Sequence, residues 1–292
     1  MVPVAAAPCP QAARLWLPPL ALSGCLRAAM LRDTRGLQLQ PAQRHNYFPA
    51  TPLISLVWWL DGTGEWLPEA GFSALAVDDP QQPRPLMLGG PFTLPSHTRN
   101  PGPVHVLKLL FLADAWQALT GIDPGPLCNR LIDPTPLLPP DWRDWCAAVA
   151  GAADDETRLS TVVDFLRPRW QALRPQRAAG NRYADWMQAL ALRAASSGAG
   201  RSLRQVERRI KAWAGLPLRE LRLVSRAEAT YLAVAAHAPQ DRVAWADLAA
   251  AHDYSDQAHL CRETRRLTGF SPEVLRQRVA QDEAFWAYRI WM

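Results

Sequence analysis

Lysine is nearly missing from this 292-residue chain: of 32 basic side chains only Lys108 and Lys211 are lysine. The positive charge is almost all guanidinium, which suits planar, bidentate contact with phosphate or guanine; an arginine-biased genome gives the same ratio. Cysteine is sparse and unpaired. Cys9, Cys25, Cys128, Cys146 and Cys261 are odd in number, scattered, and form no C-x-x-C pair. That argues against a disulfide framework or zinc site and fits reduced thiols in a cytoplasmic protein. Long apolar runs are also missing: none approaches the ~18 residues of a membrane-spanning helix. Leu22-Ser23-Gly24-Cys25 mimics a lipoprotein cleavage site, but the preceding segment lacks a basic start and is interrupted by Pro18-Pro19, which reads against export. There is no phosphate loop, dinucleotide fingerprint or nucleophile motif. His45, His97 and His105 show no tight ligand spacing, so no metal, no cofactor and no enzymatic activity is expected. Asp154, Asp155 and Glu156 fall where they suit the first turn of a helix.

What is present divides unevenly. Residues 182–292 hold 17 basic and 12 acidic side chains, and residues 1–181 hold 15 of each, so the net +5 belongs to the C-terminal part. Met1 to about Ala13 reads as frayed. From Leu15 to Leu112 short apolar runs alternate with Pro and Gly. Strands are expected at Leu26–Leu31, Leu53–Leu60, Phe72–Val77, Pro85–Leu88 and Val104–Leu112, forming an antiparallel sheet or partial barrel. Ala113–Thr120 reads as a short helix, and a Pro-rich connection follows from Asp123 to Pro140. Asp141–Ala150 and Asp154–Leu173 then read as a helical pair packed on the sheet, the second kinked or ended by Pro168. Arg174–Arg182 is the linker candidate. Everything beyond reads as helix: Tyr183–Ala195, Ser202–Ala214, Leu218–Ala236, Val243–His252, Asp256–Thr268 and Pro272–Gln281. The aromatic end, Phe285 to Trp291, is expected to pack back onto a domain. The fold class is therefore α+β: a β-rich N-terminal domain, barrel- or sandwich-like with packed helices (15–173), a linker (174–182), and an all-α domain (183–292).

Within the helical part, Arg242 to Pro272 carries most information. Trp245, Leu248 and Ala249 make one apolar helix face. Asp253-Tyr254-Ser255 forms a turn in which Asp takes left-handed backbone, and Ser255 or Asp256 caps the next helix. That helix buries Leu260 and Leu267 and turns Gln257, His259, Arg262, Arg265 and Arg266 outward; Gly269 ends it, and Ser271-Pro272 opens another helix. A capped helix, a tight turn and a second helix rich in Arg, Gln and His describe a helix-turn-helix whose second helix enters the DNA major groove. The bland alternative is a helical bundle with a solvated basic face.

Tyr254-Ser255-Asp256-Gln257-Ala258-His259-Leu260, then Arg262, Gly269 and Ser271-Pro272, resembles the signature of the AraC/XylS family of transcriptional regulators; Asp253 stands where that family usually has Gly. The resemblance is clear over residues 201–272. It implies a second, upstream helix-turn-helix, and Ser202 to Lys211 followed by Gly215-Leu216-Pro217 resembles its recognition helix. Ser202 is the expected cap, with Leu203, Val206 and Ile210 buried. The longer loop from Ala194 to Arg201 departs from the family pattern. Leu218–Ala236 would join the two units, its length about 28 Å, close to one DNA turn of roughly 34 Å.

On this reading Gln257, His259 and Arg262, with Arg204, Glu207 and Arg208, face bases, and Arg201, Arg209, Lys211, Arg265 and Arg266 face phosphates. The partners implied are double-stranded DNA, a small-molecule effector, RNA polymerase and a second copy of the chain. An apolar effector pocket is expected from Trp58, Trp59, Trp66, Phe72, Phe92 and Trp116, with His97, Arg99 and His105 as polar contacts. Two rivals stand beside this: a cupin-like binding protein or metal-dependent enzyme with a vestigial helical module, and a protein-interaction adaptor.

Overall fold

The computed structural model describes residues 7–67, 72, 76–77, 85–173, 182–197, 202–237 and 242–291. Residues 174–181 of the expected linker (174–182), residues 198–201 of the expected loop (194–201), including Arg201, and residues 73–75 of the expected strand (72–77) lie outside the described residues.

The N-terminal half is built on β1 (Ala13–Trp16), β2 (Leu26–Asp33), β3 (His45–Phe48), β4 (Ile54–Asp61), β5 (Glu65–Trp66), β6 (Ala76–Val77), β7 (Leu86–Gly89), β8 (Ser96–Arg99), β9 (His105–Phe111) and β10 (Arg130–Ile132). Seven strands form one sheet in the order β1-β2-β9-β4-β7-β10-β6, and β3-β8-β5 form a second. All pairings are antiparallel except β10 with β6. The inner strand β9 takes β2 on one side and β4 on the other; Lys108 lies opposite Met30 and Val57. The β2–β9 register shifts at Arg27, between Leu26 and Ala28. An extra residue of this kind re-aims its side chain.

Strands rich in Val, Leu and Ile were mostly legible as strands; β3 (HNYF) and β8 (SHTR) were not, because cross-strand partners hold their polar side chains, and β10 (RLI) was missed because it is only three residues long. Asn46 Nδ2 donates to Thr98 and Asn100 at 3.3 and 2.8 Å. The Pro-rich connection is thus interrupted by β10, and the N-terminus is not frayed from Ala7 onward. The Cys9 N–H donates to Glu283 at 2.6 Å, and β1 pairs with β2 from Ala13.

The helices are α1 (Ala113–Thr120), α2 (Pro140–Gly151), α3 (Asp155–Leu173), α4 (Tyr183–Ser196), α5 (Leu203–Ala214), α6 (Leu218–Ala235), α7 (Trp245–Ala251), α8 (Gln257–Thr268), α9 (Pro272–Gln281) and α10 (Trp286–Arg289). Helix α2 packs on the sheet through Trp142 and Trp145, and Trp58 Nε1 donates to the Cys146 carbonyl at 3.1 Å. Asp154 caps α3 by accepting from the Thr157 N–H at 2.8 Å. Pro168 does not end α3, which runs through it to Leu173, with Leu166 and Trp170 buried on either side.

The two halves share one core. A single cluster contains Leu26, Leu107 and Trp116 together with Trp186, Leu190, Ile210, Ala214 and Trp286. The C-terminal segment returns to the sheet as expected, with Phe285 and Trp286 buried and Trp286 Nε1 donating to Asn46 at 2.7 Å. Glu283 is fully buried there, paired with Arg32 of β2 and with Arg289 at 2.9 Å.

Candidate nucleic-acid interface and effector cavity

Helices α5 and α8 are built alike. Each has 12 residues, a side-chain N-cap, and a terminal glycine in left-handed backbone. Ser202 accepts from the Gln205 N–H at 3.4 Å, and Asp256 from the His259 N–H at 2.6 Å. The latter bond holds the Asp256 carboxyl below its ordinary range. Asp253 takes φ +58° at the turn before α8. Gly215 and Gly269 have φ +73° and +83°, where any side chain is strained. Both ends also abut the N-terminal half. A Cβ at Gly215 would lie 3.0 Å from the Pro124 carbonyl oxygen, and one at Gly269 2.3 Å from the Phe72 ring.

The apolar sides point inward: Ile210 and Ala214 on α5, Leu260 and Leu267 on α8. Leu203, expected inside, is 83% exposed, because the helix begins beyond the packed core. Arg204, Glu207, Arg208 and Lys211 are exposed on α5, and Gln257, Arg262 and Arg265 on α8. These are the residues the structure leaves facing solvent on the two helices.

Three of the expected readers are engaged within the protein. His259 sits half-buried, its Nε2 3.1 Å from Glu263, its ring edge-on to Tyr254 at 5.4 Å. It shares a helix face with Arg262, but its ring is held by the turn before α8 and by Glu263 one turn on. Arg266 donates to Glu220 of α6 at 2.6 Å, and Arg209 to the Ala194 carbonyl at 2.9 Å. Glu263 also accepts from Arg226 at 2.5 Å. These ion pairs tie α8 to α6, whose 18 residues span about 27 Å.

The expected effector pocket does not form from its expected residues. Trp58 is 1% exposed beneath α2, and Trp66 packs beside Val57 and Met87. Arg99 pairs with Glu65 at the surface at 2.6 Å, and His105 lies 2.9 Å from Asp155. His97 stacks on Tyr47 at 4.1 Å with its Nε2 2.9 Å from His45 Nδ1. The structure brings these two histidines together; among the described residues no group of three or more metal-ligating side chains occurs.

A cavity of about 510 Å³ lies elsewhere, between the two halves. The sheet supplies Leu15, Arg27, Met30, Phe48, Lys108 and Leu110; the helices supply Val224, Ala227, Glu228 and Tyr231 of α6 with Leu260, Thr264 and Leu267 of α8. Arg27, turned by its bulge, pairs with Glu228, and Glu228 accepts from the Tyr183 N–H at 2.8 Å. Burial raises the Glu228 pKa against the pull of Arg27. Lys108 has no such partner. Among the described residues no carboxylate pairs with it, its Nζ lies over the Phe48 ring at 4.8 Å, and burial lowers its pKa to about 8. A lone ammonium in an apolar wall was readable as an anomaly in the run HVLKLLF, but nothing local shows that it faces a cavity.

No family model matches this sequence. No curated protein matches it either. Solved structures of ToxT from Vibrio cholerae align with the chain at low similarity. One crystal form matches at 7% identity and TM-score 0.35, covering 80% of this chain and 95% of ToxT. An apo substituted form matches at 8% and 0.38, covering 85% and 96%. A form described as unsaturated fatty acid bound matches at 8% and 0.34, covering 80% and 94%. Likeness of this degree assigns neither family nor function. Among the described residues no helix is long and apolar enough to cross a membrane.

Proposed function

We propose that the chain is a sequence-specific DNA-binding transcriptional regulator of the cytoplasm, with an effector-sensing N-terminal domain (15–173), a linker (174–182) and a double helix-turn-helix domain (183–292). The observation that carries this is the duplicated build of α5 and α8: two capped, glycine-ended helices on either side of an 18-residue connector. Their unpaired cations suit the two contacts DNA requires, Arg208 and Arg262 toward base edges and Lys211 and Arg265 toward phosphates. Gln257 and Arg204 join the first set, and Glu207 accepts from cytosine. Selection of bound duplexes from a random pool by the purified protein tests the reading. It is supported by recovery of one motif whose affinity falls steeply with salt; equal binding to all duplexes, or none, refutes it.

The effector we place in the cavity, as a monoanion with an apolar body. Its volume lies within the usual ligand range of roughly 300–1,000 Å³, and Lys108 supplies a charge in its sheet-side wall that no carboxylate pairs with among the described residues. A charge-assisted bond to that ammonium contributes about 1.5–3 kcal/mol. Dodecanoate should therefore bind some ten- to a hundredfold more tightly than dodecanol. The sign with pH follows. Lys108 is charged below about 8, so the preference is complete below that value and disappears as pH rises through it. Titration calorimetry across pH 6–10 checks this, and Lys108→Met should bind the acid and the alcohol equally. A preference that survives in Lys108→Met would remove Lys108 from the site.

A further inference from the structure

The cavity wall is shared unequally between the two candidate reading helices. Leu260, Thr264 and Leu267 of α8 line it, and no residue of α5 does. Instead α5 is built into the common core: Ile210 and Ala214 are fully buried there, and Gly215 rests against Pro124. The inner residues of α8 belong to small separate groups, Leu260 with Ala249 and Tyr254, and Leu267 with Ala50, Leu223 and Val224. One backbone bond, from the Ala50 N–H to the Leu267 carbonyl at 2.8 Å, ties the end of α8 to the N-terminal half.

A helix set into a close-packed interior has no freedom to shift without loss of contacts. One that rests on unfilled volume lacks dispersion partners on that side. A molecule in the volume supplies them, and does so best for one seating of the helix, toward which the population moves. Because α5 stays fixed to the sheet, such a shift changes the placement of α8 relative to α5.

We propose that, of the two candidate reading helices, occupancy of this cavity sets the seating of α8 and not that of α5, so that an effector tunes the half-site read by the second helix and leaves the first unaltered. This rests on the effector-site reading above and adds which helix responds. By reciprocity, DNA at the second half-site changes effector affinity by the same factor.

Ala227→Leu tests this without any ligand, since Ala227 lines the cavity from α6 and Leu suits a helix nearly as well as Ala. Thr264→Leu on α8 is the second variant, and thermal melting shows that each is folded. Amide hydrogen exchange should slow in Leu260–Thr268 by ~fivefold or more, the lower end of typical coupling, and stay unchanged in Leu203–Ala214. On the selected duplex the affinity should change by a similar factor. That change should persist in an Arg208→Ala background and vanish in Arg262→Ala. Wild-type protein with dodecanoate should show the same exchange pattern. Equal slowing in both helices, no slowing in either, or a DNA effect that survives Arg262→Ala overturns the proposal. If no duplex is preferred, DNA reading fails while the exchange result still decides the seating of α8. If dodecanoate alone has no effect, the assigned ligand class fails and the two filled variants still decide.

Discussion

Replacing Glu283 with Ala should cost about 3–5 kcal/mol of stability, the range for removing one partner of a buried ion pair. Its carboxylate is fully buried and accepts from Arg32, from Arg289 at 2.9 Å and from the Cys9 N–H at 2.6 Å. Arg32 is itself buried, over the Trp286 ring at 5.0 Å, and burial already lowers its pKa despite the pull of Glu283. Without that carboxylate two guanidinium groups and a backbone N–H lose their acceptor together. Total stability of such chains is roughly 5–15 kcal/mol, so the loss is a large part of it. Denaturant unfolding followed by tryptophan fluorescence measures it. The double variant Arg32→Met with Glu283→Leu should recover much of the loss, because an apolar pair of similar volume needs no desolvation. A loss below about 1 kcal/mol, the scale of an exposed pair, would show that water reaches the carboxylate. Because β2 and the segment after α9 meet at this pair, loosening it should also weaken the hold of that segment on the sheet.

Arg262→Ala should lower affinity for the selected duplex by about 1–3 kcal/mol, roughly 5- to 150-fold, and relax discrimination at one base pair. Arg262 is exposed on α8 and makes no hydrogen bond among the described residues, so its loss should leave folding alone. Arg266→Ala makes the contrast. That guanidinium is committed to Glu220, so its removal should act on the α6–α8 contact and thermal stability, with uniform weakening on every duplex. Competition binding against single-base variants of the duplex separates the two patterns. If Arg262→Ala weakened all duplexes equally, it would be a phosphate contact and base reading would pass to Gln257 and Arg204.

The helical half was legible because its signals are local. Caps, terminal glycines and the 3.6-residue period placed α5, α6, α8 and α9 within two residues of their observed bounds, and Asp253 was legible as left-handed. The outward set on α8 was less so. Period alone puts His259 and Arg266 near the surface; Glu263, four residues on, takes His259 locally, but only the position of α6 shows that Glu220 takes Arg266. For α5, period alone buries Leu203, whereas the extent of the core beneath decides that it is exposed.

Among the described residues of the N-terminal half, the apolar runs gave five of the ten strands, β6 falling at the end of the expected Phe72–Val77. β3 and β8 were invisible because HNYF and SHTR become strands only by pairing with each other. The cavity had no signature at all: its wall is drawn piecemeal from strands and helices that lie far apart in the chain. Tryptophans were the obvious candidates for it, yet Trp58 and Trp116 are among the most deeply buried side chains, since large rings are first to be consumed in packing.

The sequence by itself determined the α+β class, the two capped helices with their basic outer faces, and the place of the net charge, because each is set by neighbours within a few residues. The tertiary structure alone decided which cations stay unpaired, that Lys108 meets empty volume, and that α8 forms the roof of that volume. Those depend on what each side chain faces across the molecule, and facing partners are separated by up to hundreds of residues of chain.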